Sequence, residues 1–482
     1  MTDATRGGAG GSRSERERAS VSPPGGEEPP FQDRIGAWLD ERLHLSRFAR
    51  QALDKVFPDH WSFMFGEIAL YSFVVLVLTG VFLAFFFEPS LTPTTYVGPY
   101  EPLRGLEMSD AYASTLRLSF EVRAGLVMRQ THHWAALVFI GSIVVHLCRV
   151  FFTGAFRRPR EINWVIGVTM LLLALLNGFT GYSLPDDLLS GTGLRIMYSV
   201  ILSVPLLGPW AAFLLFGGEF PAEQILGRLF VLHIFLVPVI LGALLGAHLA
   251  LVWHQKHTQF PEPGHTEANV VGSRLWPTYA LKSVGLFFLV AAVLTGLGGL
   301  VQINPVWLYG PFDPSQVTSP AQPDWYLGWL EGALRLFPNW EIRAFGLEIP
   351  EPFFPAVLVP GITFTVLYAW PYLERLMTKD QAEHHLLDRP RDRPVRTAFG
   401  AGTLTFYASL FAAASNDLVA HWFELDIETV TWFFRVLVLA LPPAVALLTF
   451  LVCRALRDAG DVRLTHLPLS SVWRPGARST HR

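Results

Sequence analysis

The sequence predicts an all-α, polytopic membrane protein with eight transmembrane helices. Three observations lead there. The 482-residue chain is 51% hydrophobic and only 16% charged, with a mean hydropathy of +0.35, too apolar for an ordinary soluble protein. Apolar runs long enough to span a hydrocarbon core fall at about 64–87, 124–152, 162–182, 226–253, 278–301, 352–373, 399–415 and 431–454. The second and fourth of these runs each carry two histidines, and ionisable groups inside a membrane are costly enough to mark function. A net charge of −3 argues against a nucleic-acid partner. Two cysteines, Cys148 and Cys453, are too few for a disulfide framework or a four-thiolate cluster.

In chain order, residues 1–30 are rich in Gly, Ser, Pro, Arg and Glu without an apolar run, which predicts a disordered tail rather than a signal peptide. Residues 31–57 alternate charge with Ile35, Trp38, Leu39, Leu43 and Leu45, as expected of an amphipathic helix lying on the membrane surface. Residues 58–260 then make a first domain of four spans, 261–455 a second domain of four, and 456–482 a cytoplasmic tail. The loops after the second span (Arg157, Arg158, Arg160) and the sixth (Arg375, Lys379, Arg389, Arg391, Arg393, Arg396) are basic. The last loop holds Asp417, Glu424, Asp426 and Glu428 and no Lys or Arg. The positive-inside rule therefore puts both termini in the cytoplasm.

Helix geometry gives the histidines their meaning. His132 and His146 are fourteen residues apart, which is ~21 Å of rise and ~40° short of whole turns, so the rings share a face. His133 would be ~140° out of phase with His146 and reads as a spectator. His233 and His248 are fifteen apart, about 22 Å and some 60°. A lone intramembrane histidine is more often a hydrogen-bonded core residue, but two pairs at matching depth suit a bundle that holds haem irons from both sides. The first four spans are thus expected to form a dihaem bundle, His132 pairing with His233 near the outer face and His146 with His248 near the inner face.

Glycines support this. Gly66 and Gly80 lie fourteen apart on the first span, and Gly167 and Gly181 fourteen apart on the third. Helix glycines are commonly packing residues, yet this period equals the histidine period, as expected if flat macrocycles press on backbone at two levels. Gly80 and Gly167 are expected at the inner level. Arg129, one turn before His132, and Arg149, one turn beyond His146, are placed to meet haem propionates.

Two outer loops, Tyr182–Phe220 and Gln302–Pro350, are long and aromatic, and long loops in membrane proteins usually have a function. The second contains Pro323-Asp324-Trp325-Tyr326 and then Glu331. On a helix, Asp324 and Glu331 share a face within about 20°, giving two carboxylates aimed at one place, where one can accept a proton from an oxidised carrier.

These residues also carry a family resemblance. From about residue 50 to 455 the chain resembles cytochrome b of the cytochrome bc complexes. The second span matches that family's Arg-x-x-His followed fourteen on by His-x-x-Arg, Gly181-Tyr182-Ser183-Leu184-Pro185 is similar to its quinol-site turn, and Pro-Asp-Trp-Tyr is a variant of its Pro-Glu-Trp-Tyr. The actinobacterial type is the nearest, through Phe57-Pro58-x-His60-Trp61-Ser62-Phe63, the run from Gly154 to Glu161 and the run from Ser183 to Gly191. The resemblance implies a quinol–cytochrome c reductase subunit in the cell membrane. It would oxidise menaquinol at an outer site, with one electron passing to a Rieske iron-sulfur protein. The other would pass through two b haems to an inner quinone site, coupled to proton translocation. His132 and His233 would ligate the low-potential outer haem, His146 and His248 the high-potential inner one, and Asp324, Tyr326 and Glu331 would serve quinol oxidation. A dihaem c-type cytochrome, a terminal oxidase and a second copy of the chain are the implied partners.

Two departures stand out. Asp324 replaces the usual glutamate, and Lys282 is followed by Ser283 where many members have Lys-Asp. His254 and His257, just past the fourth span, are proposed beside Lys282 as inner-site groups. The main alternative is a dihaem membrane anchor linking a dehydrogenase to quinone, which should have short outer loops. A histidine-lined channel would leave the glycine period unexplained.

Overall fold

The computed structural model describes residues 31–43, 52–316, 322–344 and 346–465. The tail expected over 1–30 lies outside them, as do residues 466–482. Helix α1 (Phe31–Leu43) covers the first half of the expected surface helix, with Ile35 and Trp38 exposed. It does not continue to residue 57: Val56–Phe57 form a strand paired antiparallel with Ser273–Arg274.

Within Val56–Thr465 the spans are α2 (Met64–Ala84), α4 (Gly125–Thr153), α5 (Glu161–Tyr182), α8 running into α9 (Ile225–Val231 and Val237–Gln255), α10 (Ala280–Leu300), α12 (Val359–Thr378) and α15 (Ile427–Thr465), with α3 (Asp110–Phe120) and α7 (Gly208–Phe216) among the shorter helices between them. Among the described residues seven helices are thus long and apolar enough to cross a membrane. The eighth is α13 (Pro394–Ala413) taken with α14 (Asn416–Trp422), bent by 57° at Ala414–Ser415. These helices are apolar around most of their circumference, so lipid must cover the faces that the protein leaves open, and Leu78, Val81 and Leu300 are among the apolar side chains so exposed.

Two spans contain a wide turn of i→i+5 bonding, Leu232–Leu236 and Phe354–Leu358. Each sits at a proline, Pro238 or Pro355, which has no backbone N–H to give the α ladder. Before α10 the chain is kinked instead, with extended angles at Trp276 (φ −111°, ψ 137°). Helix ends are set locally. Gly154 takes a left-handed φ of 66° and closes α4 on the Phe151 and Val150 carbonyls. Asp187 begins α6 (Leu188–Leu202) with a reciprocal cap to Ser190.

Packing gathers α2, α4, α5 and α9 into one bundle, with α10 against α2 and α4, α12 against α5, and α13 between α15 and α11 (Trp325–Leu336). Val75, Ala135, Val290 and Leu294 fill the seam of α2, α4 and α10. Phe151, Phe156, Trp164 and Trp370 fill the other end of α4, against α5 and α12. The two long loops are stitched to each other and to the bundle: Phe312 N–H donates to Asp186 O (3.1 Å), Leu188 N–H to Gly310 O (3.0 Å), and Gln130 exchanges two 2.9 Å bonds with Ile303.

Candidate redox sites

The four histidines meet in two pairs. The rings of His132 (α4) and His233 (in the wide turn before α9) have centroids 6.1 Å apart at 70°. Those of His146 (α4) and His248 (α9) are 6.4 Å apart at 72°. Each gap leaves room for one metal atom with a bond of roughly 2 Å to each ring. Among the described residues no group of three or more His, Cys, Asp or Glu is placed to hold a metal. Two facing imidazoles therefore suit an iron whose other ligands come from a macrocycle. His132 Nδ1 contacts Thr79 Oγ1 (2.9 Å), and His233 Nδ1 bonds Asn177 O (3.0 Å), contacts that fix both rings and leave Nε2 for iron.

Each of the four glycines faces one of these rings. A Cβ at Gly66 would lie 3.2 Å from His146, one at Gly80 3.2 Å from His132, one at Gly167 3.9 Å from His248, and one at Gly181 would overlap the His233 ring. Two points of the sequence reading change. Gly80 belongs with His132, not with the inner pair, because α2 and α4 run antiparallel and the C-terminal glycine of one meets the N-terminal histidine of the other. What the missing side chain makes room for is the ligand's imidazole as well as a macrocycle.

A haem also fits the arginines. Arg149 Nε and Nη2 and Arg129 Nε are buried without a hydrogen-bond partner. Arg149 lies over the Phe63 ring at 4.1 Å and lines the same cavity of about 490 Å³ as His146 and His248. Buried guanidinium groups left short of acceptors suit a carboxylate-bearing ligand such as haem. Arg129 spends one N–H on Asn304 O (2.9 Å).

At the His132 end, Asp324 is the N-cap residue of α11, but its carboxylate turns away from the helix. It meets His133 Nε2 at 2.8 Å and accepts from the buried Tyr326 hydroxyl at 3.1 Å. His133 thus stands outside both ring pairs but is tied to Asp324 instead. Gly178 of α5 lets Tyr326 approach, since a Cβ there would come within 2.7 Å of its hydroxyl. Glu331 does not share this place. It pairs with Arg335, which also holds Asp417 of α14 at 2.7 Å. The seven-residue spacing misleads because Asp324 has non-helical angles, so the 100° step does not run through it. Burial pushes the Glu331 carboxyl up to about 7 against the pull of Arg335. Asp186, in the loop before α6, is likewise raised to about 7 by burial.

At the other end, Lys282 is tied to Asp59 (2.8 and 2.9 Å) and mostly exposed, and His254 is exposed and off the cavity wall, whereas His257 lines it. The sequence reading missed Glu67 of α2, whose carboxylate lies in this cavity beside Ser283, Tyr71 and Tyr279. An acid in the first turn of a span was the available signal.

Comparison with known proteins adds to this geometry. The chain is 53% identical over 429 residues to the cytochrome bc1 complex cytochrome b subunit of Mycobacterium tuberculosis, covering 89% of this chain and 78% of that one. The chain belongs to the cytochrome b subunits of cytochrome bc1 complexes. The Streptomyces coelicolor subunit is 48% identical over 437 residues (91% and 80% covered), and that of Corynebacterium diphtheriae 49% over 432 (90% and 80%). The profile of the family "Cytochrome b(N-terminal)/b6/petB" matches residues 137–311. A chain of a solved hyperthermophilic respiratory Complex III shares the fold, with a TM-score of 0.63 at 21% identity over 86% of this chain and 99% of that one. As a cytochrome b subunit this chain is a component of a quinol–cytochrome c reductase, an electron-transport protein of the membrane.

Proposed function

We propose that the chain holds two b haems, one at each histidine pair, and connects an outer quinol-oxidising site to an inner quinone-reducing site. The observation that carries this reading is the pair of facing imidazoles at two levels of one bundle, each ring backed by a glycine of a neighbouring helix. Bound at these pairs, haem supplies one-electron redox chemistry at two depths. The protein fixes the rings, and its buried Arg129 and Arg149 meet the acidic edge of the ligand.

Outer-site work falls to Asp324 and Tyr326. Quinol oxidation releases protons that a dry site cannot hold, and Asp324, set by His133 and Tyr326, is the acceptor near the reacting hydroxyl. Glu331, with its raised carboxyl, is a second stop on the way out rather than a joint acceptor. One electron leaves to a Rieske iron-sulfur protein and the other crosses the bundle, so that quinol oxidation is coupled to proton translocation. Menaquinol is the substrate, a dihaem c-type cytochrome the further acceptor, a terminal oxidase an associated complex, and a second copy of the chain its dimer partner. Basic loops at the His146–His248 end support a cytoplasmic location for that end and both termini, in a cell-membrane protein. The dihaem-anchor alternative leaves α11, with Asp324 aimed into the bundle, without a task.

Copurification of the intact complex tests the reading. Two b haems per chain, bound menaquinone, and Rieske and c-type subunits in the same particle are expected. One haem or none in a fully assembled complex would overturn it.

A further inference from the structure

We infer that Glu67 is the acid that protonates quinone at the inner site, an inference that rests on the inner quinone site proposed above. The argument starts from a vacancy in the sequence. Ser283 stands after Lys282 where a carboxylate is expected, and Lys282 itself is occupied by Asp59 at an exposed position. The structure returns a carboxylate to that spot from a different helix. Ser283 donates to Glu67 Oε2 at 2.9 Å, Tyr71 to the same oxygen at 3.3 Å, and Tyr279 to Oε1 at 2.5 Å. Tyr71 and Ser283 also touch each other.

Placement and chemistry agree. Glu67 follows Gly66, the glycine that faces His146, so the carboxylate stands at the level of the inner pair. It lines the cavity of about 490 Å³ that also holds His146, His248 and His257, and most of whose remaining wall is apolar. A hydroxyl donates or accepts by rotating one bond. Three hydroxyls around one carboxyl group can therefore serve Glu67 both as acid and as carboxylate, with no heavy atom moving. Reduction of a quinone takes two electrons and two protons. The electrons come one at a time, from two quinols oxidised in succession at the outer site. One proton comes from Glu67: its O–H bond breaks as an O–H bond forms on the quinone carbonyl oxygen. The carboxylate left behind is reprotonated from water at the inner face, and the second proton passes by the same route to the other carbonyl oxygen.

A purely structural role, in which Glu67 staples α2 to α10 through hydroxyls, predicts a different outcome for an isosteric amide. In the purified complex with the outer site inhibited, Glu67→Gln is expected to slow menaquinone-dependent reoxidation of the b haem about a hundred-fold, the size of one lost acid. Haem content, and outer-site reduction of the b haems followed separately without that inhibitor, are expected to stay at the wild-type level. A carboxyl band in the redox infrared difference spectrum is expected to vanish in the same variant. Glu67→Ser with Ser283→Asp, which returns the carboxylate from the other helix, is expected to recover most of the rate lost in Glu67→Ser alone. Wild-type reoxidation with the carboxyl band retained in Glu67→Gln would overturn the assignment, as would failure of every Glu67 variant, the double exchange included, to assemble. Wild-type complex that oxidises quinol but never reoxidises its b haem with quinone would remove the inner site itself, a result independent of any Glu67 variant.

Discussion

The two ends of the histidine-bearing bundle, proposed above as outer and inner quinone sites, are built from different materials. At the outer end the carboxylate comes from a loop helix: Asp324 sits on α11, outside the spans, and reaches in to His133 and Tyr326. At the inner end it comes from a span: Glu67 belongs to the first turn of α2 and is held by hydroxyls alone in the contacts described above. The histidines differ in the same sense. His132 and His233 have their Nδ1 atoms met by Thr79 and Asn177, whereas His146 Nδ1 is buried without such a partner. Both rings of the His132–His233 pair are thus anchored by protein contacts, the kind of contact that sets the tautomer and orientation of a ligating imidazole.

The largest expected effects break one end and spare the other. His248→Leu removes one of two ligands at the inner level and should cost about half of the b-haem absorbance. Gly181→Val should cost the outer half, because its side chain overlaps the His233 ring. Gly167→Ala should keep both haems, since a Cβ there meets His248 at an ordinary 3.9 Å. Pigment extraction from assembled complexes measures all three, and equal losses in the last two would show that the glycines act only in helix packing.

Next in size is Asp324→Asn. It should slow haem reduction by a menaquinol analogue, followed by stopped flow with the inner site inhibited, by about a hundred-fold at unchanged haem content. Normal reduction in that variant would move the proton acceptor elsewhere on the outer side.

The smallest effect concerns Glu331. Its carboxyl is raised in the folded protein to about 7 by burial. The protonated form is therefore the one that folding favours, and its contribution is complete below the ordinary carboxyl range and lost as pH rises through about 7. Amides of α11 should exchange faster as pH climbs from about 5 to about 8, after correction for intrinsic exchange, and Glu331→Gln should flatten that dependence. Exchange that slows across the same range in the wild type would reverse the sign assigned here.

What the sequence made legible follows from periodicity. Spans, histidine pairs and glycine pairs repeat along single helices, so the geometry of one helix was enough to read them. Contacts between helices escaped it. His133 and Asp324 are 191 residues apart, and Glu67 and Ser283 216, so neither partnership leaves a local pattern. The level of Gly80 was misread because it depends on the direction of α2 against α4. The pairing of Asp324 with Glu331 failed where a helix had not yet begun. Nor did the alternation over 31–57 reveal that Val56–Phe57 would pair as a strand with a segment before α10.

The wide turn at Leu232–Leu236 accounts for an oddity of spacing. One helix spaces its histidines by fourteen residues and the other by fifteen, yet the ring separations at the two levels are 6.1 and 6.4 Å. A turn bonded from Val237 N–H to Leu232 O takes up one residue more than an α turn, so the longer count on one side closes on the shorter count on the other. Removing a single residue from that turn would leave the chain with two equal intervals and mismatched rings. A search for such a site by residue counting must therefore accept unequal numbers where a proline follows a ligand by about one turn.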